Sequence, residues 1–156
     1  MRKILTVAFT LAGLVGTAFA ASAARAQSPA ALCVGKGTVD ATTPIPASLV
    51  EAASRLFGGD PAFVKTSTVY RCMQDKVWLC NYGANLVCDK ADTSRSNPGV
   101  VKWCREHPGS ADIPMAATGH GTMYSWACAG NRPRITRVLQ KVDARGYIAD
   151  NWKLLP

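Results

Sequence analysis

Six cysteines, Cys33, Cys72, Cys80, Cys88, Cys104 and Cys128, constrain this chain more than any other feature. Their spacings are 39, 8, 8, 16 and 24 residues. Thiol redox catalysis uses Cys-x-x-Cys, in which one thiolate attacks and its near neighbour resolves, and no pair here has that spacing. Nor does any cysteine sit in the Cys-x-x-Cys-His of covalent haem or in the close Cys/His pairs of a zinc site. The remaining reading is three disulfides, which lower the entropy of the unfolded chain and require an oxidising compartment. Their connectivity stays open from sequence: Cys80 with Cys88, closing the Asn-Tyr-Gly-Ala-Asn loop, is one pairing among several.

The N-terminus meets the compartment condition. Met1-Arg2-Lys3 carries positive charge, Ile4 to Ala20 is apolar, and Ala24-Arg25-Ala26 offers a small-residue cleavage site before Gln27. Residues 1–26 therefore read as a signal peptide, with a cut after Ala18-Phe19-Ala20 as the alternative. The apolar run is short for a bilayer span of roughly 20 residues and no stop-transfer pattern follows, so no membrane span is expected after cleavage. Cys33 lies too far past the run, after Leu32, for a lipoprotein, and Arg2-Lys3 is not a twin arginine. The expected location is the periplasm or the secreted fraction. Cleavage leaves 156 − 26 = 130 residues, one domain's worth, with (18 − 3) − 10 = +5 formal charges. A chain of this length buries a core without staples, so the bridges guard an exported protein against unfolding and proteolysis.

Along the mature chain, residues 27–44 read as an extended arm whose one evident tether is Cys33, and 45–156 as a single domain. In ASLVEAASRLFGG, Leu49, Val50, Ala53, Leu56 and Phe57 fall on one helical face, Ser48 and Glu51 form a capping box, and Gly58-Gly59 supplies the stop. Asp60-Pro61 reads as a break. Thr66 to Met73 and Lys76 to Cys80 read as strands joined by a two-residue Gln74-Asp75 turn. That turn sets Cys80 opposite Val69 and Cys72 opposite Val77, so each cysteine bonds outside the hairpin. Asn97-Pro98 starts a second helix, pinned to the sheet by Cys104 and ended by Pro108-Gly109. From Asp112 the pattern is an antiparallel meander: Ile113 to Ala117, Thr122 to Cys128 and, in preference to a helix, Arg134 to Val142, turning at Asp143 to Gly146 into Tyr147 to Leu154. The fold class is α+β: a small disulfide-stabilised domain with an antiparallel sheet of about five to six strands and two helices.

Chemistry-bearing motifs are few. Of the two histidines only His107 has a carboxylate beside it, Glu106, so neither a metal nor a cofactor is expected. There is no Gly-x-Ser-x-Gly elbow; a hydrolase would need His120 gathered with a serine and an aspartate by the fold. Arg132, Arg134, Arg137, Lys141 and Arg145 form a basic cluster with one acid, Asp143, and Tyr124, Trp126, Tyr147 and Trp152 flank it. If the meander holds, arginines and aromatics share a surface suited to an anionic or sugar-containing ligand. The candidate ligand-binding residues are His120, Tyr124, Trp126, Arg132, Arg134 and Arg137. The alternative is a solvated basic face over core aromatics. Export and the modest net charge argue against nucleic acid.

The run from Tyr70 to Cys88, with Thr118-Gly119-His120, Tyr124-x-Trp126-x-Cys128 and Val142-Asp143-x-Arg145-Gly146, resembles uncharacterised small six-cysteine exported proteins of alphaproteobacteria. That resemblance covers most of the mature chain and implies no established activity. Tyr70-Arg71-Cys72 and Tyr124-Ser125-Trp126 with Gly130 form a shorter likeness, to the periplasmic C-type lysozyme inhibitors. It implies a small antiparallel β-barrel and inhibition of a muralytic enzyme; the two helices and six cysteines depart from that family's pattern. The expectation is an exported, non-catalytic binding or envelope-interaction protein, its partner an anionic or glycan envelope component or a secreted protein. The alternatives are a lysozyme-inhibitor-like protein and a small periplasmic hydrolase using His120.

Overall fold

The structure, a computed structural model, describes residues 28–83 and 86–156, and the expected signal peptide lies outside them. The arm is tied down along its described length. A 3-10 turn at Pro29–Leu32 leads into Cys33, which is fully buried and bonded to Cys72. The Val39 N–H donates to the Cys72 carbonyl and the Ile45 N–H to the Thr68 carbonyl. Strand β1 (Thr43–Pro44) then pairs antiparallel at the sheet edge. Cys33 is thus one tether among several, because an extended segment beside an open strand edge satisfies its backbone groups there.

Helix α1 (Ala47–Phe57) forms as the periodicity predicts and buries Leu49 and Ala53. Burial of Leu49 alone contributes about 2 kcal/mol. The expected capping box does not form: Pro46 is the N-cap, which places Ser48 inside the first turn, and Glu51 pairs with Arg55 instead. Asp60-Pro61 is a helix start rather than a break. The Asp60 carboxylate accepts from the Ala62 and Phe63 N–H groups at 2.8 and 3.2 Å, and Pro61 opens α2 (Pro61–Ser67). This cap outweighs the β-branched Val64 and Thr66, and the strand begins at Thr68.

Strands β2 (Thr68–Met73) and β3 (Lys76–Asn81) pair in the expected register, Val69 with Cys80 and Cys72 with Val77. The turn residues Gln74 and Asp75 both have positive φ, 52° and 61°, as a type I′ turn requires. Neither is glycine, so the turn is strained. The arm holds it: the Gly37 N–H donates to Asp75 Oδ1 at 2.6 Å, and the Gln74 N–H to Thr38 Oγ1 at 3.1 Å. Both hairpin cysteines bond outward, Cys72 to Cys33 and Cys80 to Cys88.

The second half departs further from expectation. Helix α3 (Pro98–Glu106) starts as predicted, with the Asn97 side chain accepting from the Val100 N–H at 3.2 Å. The segment expected as a strand at 113–117 instead carries a short helix, α4 (Met115–Thr118), behind Pro114. A Cβ on Gly99 would lie 2.2 Å from the Ala117 carbonyl oxygen, so glycine is what lets α3 approach α4 this closely. Strand β4 (Tyr124–Ala129) pairs with β5 (Arg132–Val138), and Cys104 of α3 is bonded to Cys128 of β4. The expected hairpin from 134–142 into 147–154 does not form. Val142 and Ile148 make a single bridge, Ala149–Asn151 is a 3-10 turn, and β6 (Lys153–Leu154) pairs with β3. Burial decides this: Tyr147, Ile148 and Trp152 are each nearly covered in the core rather than alternating along a strand.

The result is an α+β fold with three disulfides, in which the strands divide into two antiparallel sheets, β1-β2-β3-β6 and β4-β5, and the described residues hold four α-helices. One face of the larger sheet packs Cys72, Val77 and Leu79 against Leu49, Ala53 and Val64. On its other face Val69 and Cys80 meet Cys88, Tyr147 and Trp152. A separate core of Val100, Cys104, Tyr124, Trp126 and Cys128 holds α3 to the β4–β5 hairpin. Three disulfides fit an oxidising compartment. Among the described residues no helix is long and apolar enough to cross a membrane.

Candidate functional site

The register of β4 and β5 determines where the predicted site residues go. Side chains alternate along a strand, so Tyr124, Trp126 and Cys128 point into the small core while Ser125, Ala127 and Ala129 take the opposite face, on which Ala127 is covered and Ala129 is exposed. Arg134 pairs with Ala127 and Arg132 with Ala129, which puts both arginines on the outward face. Arg137 sits an odd number of residues from Arg134 and would face inward in a regular strand. A register shift between Ser125 and Trp126 leaves Thr136 as the extra residue and pairs Arg137 with Ser125, returning it to the arginine face.

Arg132, Arg134 and Arg137 are therefore an exposed stripe on one side of the hairpin, and Tyr124 and Trp126 lie on the other. The shared arginine–aromatic surface expected from sequence is not formed, because pairing residues of opposite faces cannot meet across a strand. Among the described residues the ion pairs are Arg55–Glu51, Arg71–Asp143, Lys90–Asp40 and Arg145–Asp40, so the stripe has no carboxylate partner. Arg145 leaves the basic cluster altogether to join Asp40.

His120, Tyr124 and Trp126 do come together, around a hollow of about 200 Å³ that Thr118, Thr122 and Gln140 also line. The aromatic rings meet edge to face at 6.0 Å; the Trp126 Nε1–H donates to Thr122 Oγ1 at 3.3 Å and the Tyr124 hydroxyl to the Thr93 carbonyl at 3.4 Å. Both are core residues with one edge on the hollow. His120 is exposed, and Asp112 is the one carboxylate among the lining residues. No group of three or more His, Cys, Asp or Glu among the described residues is arranged to hold a metal ion.

A second concavity, of about 280 Å³, lies outside the predicted ligand-binding set and gathers residues from distant parts of the chain. Arg71 and Trp78 are cross-strand partners on the covered back face of the larger sheet, and with Met73, Asp143, Arg145 and Trp152 they line a cleft. The Arg71 side chain is 0% exposed and is paired with Asp143. Its guanidinium carbon stands 3.8 Å from the Tyr147 ring centroid and 4.6 Å from that of Trp152. Such desolvated cation–π contacts contribute about 2 kcal/mol. Asp143 also accepts from the Arg145 and Tyr147 N–H groups at 2.8 and 3.0 Å. Partial burial pushes its carboxyl up, but Arg71 and those two backbone donors outweigh burial and hold it below the usual carboxylate range.

At the surface beside this cleft, Asp40 accepts from Arg145 Nε at 2.6 Å and from Lys90 Nζ at 3.0 Å. The Arg145 hydrogen bond first, then Lys90, lowers its carboxyl, and the same contact raises Arg145. The Tyr147 hydroxyl donates to the Asp40 carbonyl. The arm, the 143–147 turn and the sheet are thereby joined by one polar ladder. Arg71 in TVYRCM, a charge inside an otherwise apolar and β-branched strand, was the available sequence signal for it; Asp143 stood out only as a turn residue and the one acid of the basic cluster, and nothing local joined the two across 72 residues. No family model, curated protein or solved structure matches this chain, and its function has to be read from these residues.

Proposed function

We propose that this chain is an exported, non-catalytic binding protein that holds an anionic envelope component or secreted partner against the outward face of the β4–β5 hairpin. The observation that carries the reading is the bulge-aligned stripe of Arg132, Arg134 and Arg137, exposed and without carboxylate partners among the described residues. Three guanidiniums on one rigid face present forked donors to carboxylate or phosphate groups, and leaving them unpaired costs nothing while they remain in water. Alignment by a bulge, rather than by simple alternation, supports a built surface, since bulges re-aim side chains at functional edges.

The test is to immobilise the purified chain, expose it to envelope extract, elute in salt steps and identify what is released. A discrete partner retained beyond moderate salt, and released at lower salt by Arg134→Ala with Arg137→Ala, supports the reading. Release of heterogeneous acidic material at low salt, alike for both proteins, removes the stripe from the argument, because exposed charges are screened over roughly 10 Å at about 0.1 M salt. Recovery of a muralytic enzyme would name the partner along the line of the lysozyme-inhibitor resemblance.

A further inference from the structure

The cleft beside Arg71 has a chemical asymmetry. Four buried side-chain polar atoms among the described residues lack a hydrogen-bond partner, and three of them, Arg71 Nε, Arg71 Nη1 and Trp152 Nε1, belong to side chains that line this one cleft. All three are donors. Buried donors without acceptors are costly, and each calls for a partner such as a water or a ligand oxygen. Asp143 takes one guanidinium nitrogen, Nη2, and its other oxygen is held by two backbone N–H groups; Arg71 Nε and Nη1 make no hydrogen bond to it.

The other lining groups say what kind of molecule would bring the acceptor. Trp78, Met73, Ala144 and Ala149 make the wall apolar, and Arg145 adds a cation at the rim. Arg145 is held by Asp40, which also takes Lys90, so the cleft and its rim bring three cations together with two carboxylates. Its volume of about 280 Å³ lies just below the range of about 300–1,000 Å³ for drug-sized ligands, which limits the occupant to a small molecule. We propose that this cleft binds a small carboxylate attached to a planar ring, the ring lying against Trp78 and Trp152 and the carboxylate oxygens accepting from Arg71 and Trp152. The three nitrogens are shielded from water, so binding requires the side chains that cover them to move aside. This site is separate from the arginine stripe and does not depend on it.

Benzoate and 1-naphthoate, with benzyl alcohol and 1-naphthalenemethanol as neutral counterparts, are the probes, titrated into the full ¹⁵N-labelled chain while the tryptophan indole and arginine Nε–H resonances are followed. The expected result is saturable movement of the Trp152 indole and one arginine Nε–H with the carboxylates, and binding of the alcohols weaker by about tenfold or more, the discrimination a site with unpaired donors makes. Trp78→Ala, which removes a partly buried wall beside Arg71 and keeps the Arg71–Asp143 pair itself, should weaken 1-naphthoate by about tenfold. Arg134→Ala with Arg137→Ala should leave it unchanged, which separates this site from the stripe. Absence of carboxylate-induced movement at Trp152, equal response to the alcohols, or unchanged 1-naphthoate binding by Trp78→Ala would overturn the proposal and leave the donors to buried water.

Discussion

Arg71 and the stripe of Arg132, Arg134 and Arg137 are the same side chain in opposite solvents. Arg71 is removed from water, so its charge is tolerable because Asp143 neutralises it and two aromatic faces replace its hydration. The stripe arginines are exposed and have no counter-charge among the described residues, so they are available to something outside the chain. The difference teaches that a count of positive charges identifies neither role. One guanidinium is held inside the fold by its counter-charge, and the others stand in water.

The largest expected effect comes from breaking the buried arrangement. Asp143→Ala strands the Arg71 cation and should cost about 3–5 kcal/mol in urea-induced unfolding. Adding Arg71→Met in that background should restore a large part of the loss, because methionine fills space and needs no counter-charge. If the double variant is no more stable than Asp143→Ala alone, Arg71 does not act through its charge.

Acid separates the two regions next. Asp143 has a folded-state carboxyl lower than its unfolded one, so its stabilisation is fully present above the unfolded value of about 4 and is lost as pH falls through the lower folded value. Stability of the wild type should therefore fall below about pH 4 more steeply than that of the Asp143→Ala, Arg71→Met pair. Arg134→Ala with Arg137→Ala should follow the wild-type curve. Coincident acid profiles for all three proteins would remove Asp143 from the acid response.

Arg145 is the intermediate case, paired but exposed. Arg145→Ala should lower stability much less than Asp143→Ala, with the difference shrinking as salt is added. A loss as large as that of Asp143→Ala would mean that the surface ladder through Asp40 organises the buried pair. The smallest effect is expected at the stripe: Arg132→Ala, Arg134→Ala and Arg137→Ala should each change unfolding free energy by no more than about 0.5 kcal/mol. A larger loss at any of them would assign that arginine a structural contact instead of a free surface.

Elements whose cause is local were legible in the sequence. The face of Leu49 and Ala53 on α1, the Asn97-Pro98 start of α3 and the register of the β2–β3 hairpin all follow from spacing and turn length within a few residues. Misreadings arose where two local signals competed. At Asp60-Pro61 a cap and a proline outweighed β-branched neighbours, and at 113–117 close packing on Gly99 went with a helical turn in place of a strand. Among the site residues, the sequence drew attention to the stripe arginines but joined them to Tyr124 and Trp126, because the hairpin register that sets Arg132 and Arg134 on the other face, and the bulge that sends Arg137 there too, have no signature in the pattern of residue types.

The sequence by itself determined that the chain has six cysteines without a redox or metal spacing, an α+β mixture of elements and a surplus of cations. These are properties of composition and short spacing, and they need no partner distant in the chain. Tertiary structure alone decided which cysteines pair, that the C-terminal segment crosses to β3 instead of closing a hairpin, and which cations are spent inside the protein. The physical reason is that burial is a collective outcome. Arg71 becomes a buried charge only when residues 143 to 152 fold over the sheet that carries it, and Arg137 joins a free surface only when β4 and β5 pair with one residue left over.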